Sequence, residues 1–81
     1  MIKKLEIELR LRGFSEKTVK SYVYNTSRFL DHVKKDPKEV TEDDIKSYVS
    51  YLLYNKKPAS INLALSSLRF FFGEVLSSNI M

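Results

Sequence analysis

From Ser60 to Ser77 the chain reads as a helix that is apolar around most of its circumference. Ile61, Ala64, Leu65, Leu68, Phe71, Phe72, Val75 and Leu76 span a broad arc, while Leu63 and Phe70 lie well away from it. A helix with so little polar surface is normally covered by several neighbours. The segments before it can supply those neighbours. The expected architecture is therefore a compact all-α, four-helix bundle-like domain with this helix at its centre.

The preceding segments supply three helices. Ile2, Leu5 and Leu9 fall at helical spacing over residues 2–12, with Ile7 and Leu11 expected to widen the stripe. Gly13 stands where a helix commonly ends. A second helix is expected from Ser15, an N-cap residue flanked by Phe14 and Val19 in the positions of a hydrophobic staple. Val19, Val23, Phe29, Leu30 and Val33 form its buried side, Lys34 and Lys35 suit its C-terminal dipole, and Asp36-Pro37 is its expected end. The third helix has Thr41 as cap, Asp44 at the capping-box position, and Val40 with Ile45 as a second staple. Ile45, Tyr48, Val49, Leu52 and Leu53 supply its apolar stripe, and Asn55-Lys56-Lys57-Pro58 breaks it.

Composition narrows the chemistry. Without cysteine there is neither a disulfide framework nor a thiolate metal site, and the single histidine, His32, cannot build a histidine-rich one. No metal or cofactor is expected. No apolar run approaches the roughly 18 residues of a membrane span, and charges interrupt the N-terminus before a signal-like run develops. A cytoplasmic protein with no membrane partner is the expectation. Chains this short bury only about 60% of their unfolded surface, which leaves little for a deep active-site cavity. The formal net charge is +4. Residues 1–35 hold nine Lys/Arg against four Asp/Glu, a net of +5, so the basic excess sits in the first half. That asymmetry suggests an anionic partner.

Two stripes carry the residue types that meet nucleic acid. On a wheel at 100° per residue, Lys17, Ser21, Tyr24 and Arg28 share a sector of about 60°, with Lys20 beside it, opposite the apolar side of the second helix. Lysines, an arginine, a hydroxyl and an aromatic are suited to phosphates and base edges. An ordinary solvated face would look similar. Lys17 and Lys20, however, lie near a helix start, where the dipole disfavours cations by roughly 0.3–1 kcal/mol each. Free amides there, with Ser15 and Thr18, make a good phosphate site. On the fourth helix Asn62, Ser66, Arg69 and Gly73 form a narrow stripe. Asn and Arg are shaped for bidentate contact with adenine and guanine, although Arg69 could instead pair with a carboxylate. The tyrosines at 22, 24, 48, 51 and 54 lack a neighbouring arginine–histidine constellation, so packing or DNA contact suits them better than nucleophilic attack. No catalytic residue is assigned.

The run Gly13-Phe14-Ser15-Glu16-Lys17-Thr18-Val19-Lys20-Ser21-Tyr22, followed by Phe29-Leu30, resembles the N-terminal core-binding (SAM-like) domain of phage-integrase and Xer-type tyrosine recombinases. Val40 to Ile45 with Tyr48 resembles that family's third helix, and Ser60 to Phe71 its fourth. The resemblance covers nearly the whole chain, in order. It implies a domain that clamps a recombination half-site of double-stranded DNA together with the catalytic domain of the same recombinase. By position it implies DNA contacts from Lys17, Thr18 and Ser21 on one helix and Asn62, Ser66 and Arg69 on the other, in an assembly that could be a homo-oligomer on DNA. The family's cutting residues belong to a further domain, and the sequence ends at Asn79-Ile80-Met81, near where an interdomain linker is expected. Residues 1–81 are thus expected to be one core-binding domain that is not an enzyme on its own. The rival expectation is a helical adaptor or dimerisation module that docks a partner through Phe70, Leu63 or Tyr51. A small enzyme is the reading the sequence supports least.

Overall fold

A computed structural model describes residues 2–55 and 57–76. Their order is α1 (Ile2–Leu11), α2 (Glu16–Val33), a 3-10 turn (Pro37–Glu39), α3 (Glu42–Asn55), α4 (Pro58–Phe70) and a π-helical turn (Phe71–Val75). No strand occurs among the described residues. The all-α, four-helix expectation is met.

Each helix end has a local cause. Gly13 adopts φ +81, and its N–H donates to Arg10 O at 3.0 Å while Phe14 N–H donates to Leu9 O at 3.1 Å. This pair of bonds is a Schellman closure, and it needs a left-handed residue at Gly13. A Cβ there would meet nothing within 4 Å, so the demand is on the backbone and not on space. Ser15 caps α2 by accepting the Thr18 N–H at 3.2 Å. The far end of α2 departs from expectation. The helix stops at Val33, with Lys34 in the left-handed region at φ 52 and its N–H on Leu30 O. Asp36 instead caps the 3-10 turn, accepting from Lys38 N–H at 2.9 Å.

Thr41 and Asp44 form the capping box in both directions. Asp44 Oδ2 accepts the Thr41 N–H at 2.9 Å, and Thr41 Oγ1 accepts the Asp44 N–H at 3.3 Å. Lys35 Nζ adds an ion pair to the same carboxylate at 3.0 Å, tying the end of α2 to the start of α3. The Thr41 amide, and after it Lys35, hold the Asp44 carboxyl below its ordinary value. The group stabilises the fold while ionised, above the unfolded carboxyl value, and that contribution disappears as pH falls through the folded value. Urea midpoints are therefore expected to drop below about pH 4, and Asp44→Asn is expected to flatten that drop. An unchanged acid slope in the variant would remove Asp44 from the account.

The core draws on all four helices and the π turn. Leu5 and Leu9 of α1, Val19 and Phe29 of α2, Ile45, Tyr48 and Leu52 of α3, and Ile61, Ala64 and Leu68 of α4 are buried with Phe71 and Phe72. Phe29 makes edge-on contacts with Tyr48 at 5.1 Å and Phe72 at 5.9 Å between ring centroids, joining α2, α3 and the π turn. Phe14, Tyr22 and Phe70 form a second aromatic cluster, with the Arg12 guanidinium 5.4 Å from the Phe70 ring. Phe70 is half-buried in that cluster, so it is not the free docking residue its sequence position suggested.

Three apolar expectations fail for one reason. Ile7, Leu11 and Leu53 are 52%, 76% and 65% exposed, because α1 and α3 each meet neighbours on a narrower arc than their sequences could fill. The fourth helix starts two residues before the expected Ser60, at Pro58, where the missing N–H is one that a helix start leaves unbonded in any case. After Phe70 the ladder widens, and Leu76 N–H reaches Phe71 O at 3.0 Å, a π-type bond. The expected end at Ser77 lies outside the described residues, as does Lys56 in the preceding break.

Two buried hydroxyls differ in how they are satisfied. Ser67 donates to Leu63 O at 2.8 Å, whereas Thr26 Oγ1, fully buried on α2, has no partner among the described residues. Thr26→Val should remove that desolvation cost and keep the shape, raising stability by about 1 kcal/mol. The urea midpoint measures it; a lower midpoint would mean the hydroxyl is bonded in solution.

Candidate nucleic-acid interface

The outward side of α2 is set by its inward side. Val19, Thr26 and Phe29 are buried, which turns Lys17, Lys20, Tyr24 and Arg28 to the exposed side, with Ser21 half-buried at its margin. Arg28 lies over the Tyr24 ring at 5.9 Å. Thr18 is half-buried and committed to the cap, since its hydroxyl also receives the Ser15 Oγ–H at 3.0 Å.

The charges around this side are unequal in their ties. Among the described residues Arg10, Arg12, Lys35 and Lys46 each pair with a carboxylate within 4.0 Å. Lys17, Lys20, Arg28 and Arg69 have no such partner among those residues, nor do several lysines elsewhere on the surface. Glu16, which the sequence placed to offset the lysines, is instead held by Arg10 of α1 through two bonds of 3.0 Å, and that contact keeps its carboxyl below the ordinary value.

Asn62, Ser66 and Arg69 are all exposed on α4. They do not share a cleft with the α2 stripe. Between α2, α3 and α4 runs an open groove of about 350 Å³. From α2 it is lined by Lys20, Ser21, Tyr24, Asn25 and Arg28, and from α3 by Tyr48, Tyr51 and Leu52. The α4 side is supplied by Ser60, Leu63 and Ala64, which stand about 100° or more around the wheel from Asn62. Of the two stripes, Lys20, Ser21, Tyr24 and Arg28 line this groove, and Asn62, Ser66 and Arg69 do not.

The groove was not foreseen. The sequence assigned Tyr48 and Tyr51 to packing or DNA contact, and Tyr51 also to docking, but only the packing of α3 on α2 brings them beside Arg28. A smaller depression continues past them to Asp31 and His32, whose ring lies 5.1 Å from Tyr48 and 4.9 Å from Tyr51. Burial pushes the Tyr48 phenol up, so it remains neutral near pH 7. Among the described residues no group of three or more His, Cys, Asp or Glu could hold a metal ion, and no helix is long and apolar enough to cross a membrane.

Residues 1–81 match the model of the phage-integrase N-terminal SAM-like domain. The chain belongs to that family. A protein of Sinorhizobium fredii named "Putative integrase/recombinase y4qK" is 39% identical over 71 residues. Those residues are 85% of this chain and 23% of the relative, so the integrase domain spans less than a quarter of that protein. The resemblance drawn from Gly13–Tyr22, Val40–Ile45 and Ser60–Phe71 thus identified the right family.

Proposed function

We propose that this integrase domain binds double-stranded DNA and, with the catalytic domain of the same tyrosine recombinase, clamps a recombination half-site without taking part in strand cleavage. The observation that carries the reading is the outward side of α2, where Lys17, Lys20, Tyr24 and Arg28 stand exposed with no carboxylate partner among the described residues. Lys17, Lys20 and Arg28 neutralise phosphates, and Ser21 and Tyr24 add hydrogen bonds and contact area, with Thr18 serving through the cap it completes with Ser15. Asn62, Ser66 and Arg69 form a second contact, with base-edge chemistry available to Asn62 and Arg69. Binding by the domain alone is weak, since the clamp shares its affinity between two linked domains.

A second reading, docking to another protein surface, is favoured by Ile7 and Leu11, exposed one helical turn apart on α1. That side would serve the catalytic domain or a second copy on DNA. Fluorescence anisotropy on labelled duplex, from about 20 to 300 mM salt, tests the main reading. Affinity should fall with salt and vanish in Lys17→Glu/Arg69→Glu. No binding at the lowest salt would reject DNA binding by the domain alone and leave the protein-docking reading.

A further inference from the structure

The groove between α2, α3 and α4 has features that duplex phosphates do not require. Its floor is apolar, from Leu52, Leu63 and Ala64, and Tyr24 and Tyr51 stand at its walls, 61% and 40% exposed. Exposed aromatic rings beside an apolar floor suit a planar ring that stacks. The rim carries Lys20 and Arg28, and no carboxylate lines the groove, which favours an anionic occupant. Asn25 donates to Ser21 O at 2.8 Å, which fixes its amide and leaves Oδ1 as an acceptor at the polar edge. A volume of about 350 Å³ lies at the small end of pockets that hold organic ligands. A paired base cannot enter, since both its faces are stacked and its pairing edge is occupied. An unstacked base with its own phosphate matches every feature at once.

We infer that this groove receives an unpaired nucleotide of a DNA strand, its base between Tyr24 and Tyr51 and its phosphate between Lys20 and Arg28. The inference rests on the DNA-binding reading for the source of the strand and shares Lys20, Tyr24 and Arg28 with it, but it adds a contact of its own with Tyr51 and the apolar floor. In use, a duplex lies along the α2 stripe and a nucleotide freed at a nick, end or distorted step turns into the groove beside it. Stacking of one base raises affinity by about tenfold.

The test compares a blunt labelled duplex with the same duplex carrying a three-nucleotide 3′ overhang, by anisotropy at fixed salt. The overhang should bind about tenfold tighter to the unaltered domain. Leu63→Trp, shown to be folded by circular dichroism, fills the groove from α4 and should abolish that gain while leaving the blunt duplex unaffected. Thymidine 5′-monophosphate added to the unaltered domain should shift the amide resonances of Ser21, Asn25 and Ala64. No gain from the overhang, or a gain that survives in Leu63→Trp, overturns the inference while salt-dependent blunt-duplex binding still upholds the parent reading. Loss of blunt-duplex binding with the overhang gain intact does the reverse.

Discussion

Phe29→Ala is expected to leave the domain largely unfolded at 25 °C. Phe29 is fully buried, and its ring meets Tyr48 of α3 and Phe72 of the π turn. Truncation removes the transfer free energy of the ring and leaves a cavity at the junction of three elements, a combination that costs about 3–5 kcal/mol. Total stability for a domain of this length is about 4–12 kcal/mol, and short chains fall toward the lower figure because they bury less of their surface. The subtraction leaves little or nothing. Circular dichroism with urea titration measures it, and Phe70→Ala is the control. Phe70 is only half-buried and sits in the peripheral Phe14–Tyr22 cluster, so its loss should be clearly smaller. A cooperative Phe29→Ala transition at the unaltered midpoint would show that the core is organised around other residues.

The second large effect separates the two DNA stripes. If roughly five phosphate contacts hold the duplex, affinity should fall several hundredfold between about 50 and 200 mM salt. Each contact is then worth about eightfold at 0.1 M salt, and its removal lowers the logarithmic salt slope by about one. Lys17→Ala/Lys20→Ala/Arg28→Ala should weaken binding several hundredfold and reduce the slope by about three. Arg69→Ala should cost about tenfold and one unit of slope. These side chains are exposed and carry no ion pair among the described residues, so folding should be unaffected. Equal effects from the triple and the single variant would shift the main contact from α2 to α4.

What the sequence revealed, and what it hid, divides by the range of the interactions. Ser15, Thr41 with Asp44, and Gly13 act within four residues of themselves, and each was readable because side-chain chemistry alone selects the conformation. Lys34 also closes its helix from the left-handed region, with a single bond from its N–H to Leu30 O, yet no residue type marks it. Periodicity found the buried residues but overstated the arcs, since Leu11 and Leu53 fit their helical stripes and yet stay largely exposed among the described residues. The α2 stripe needed only one helix to be recognised. The groove needed three, and Tyr51 and Leu63 acquire a shared role only when α3 and α4 are packed on α2.

The π turn bears on how this chain tolerates changes in its length. A ring closed from residue i to i+5 encloses one residue more than the ordinary helical ring, so Phe71–Val75 carries a surplus that the ladder on its N-terminal side does not. Gly73 sits inside it, exposed and with nothing within 4 Å of where a side chain would begin. Losing one residue here would restore regular winding while the ladder before it keeps its register. The same loss in mid-α2 would rotate every later side chain by about 100° and drive polar residues into the core. Single-residue deletions arising across this gene should therefore survive in this turn while being purged from the body of the long helices.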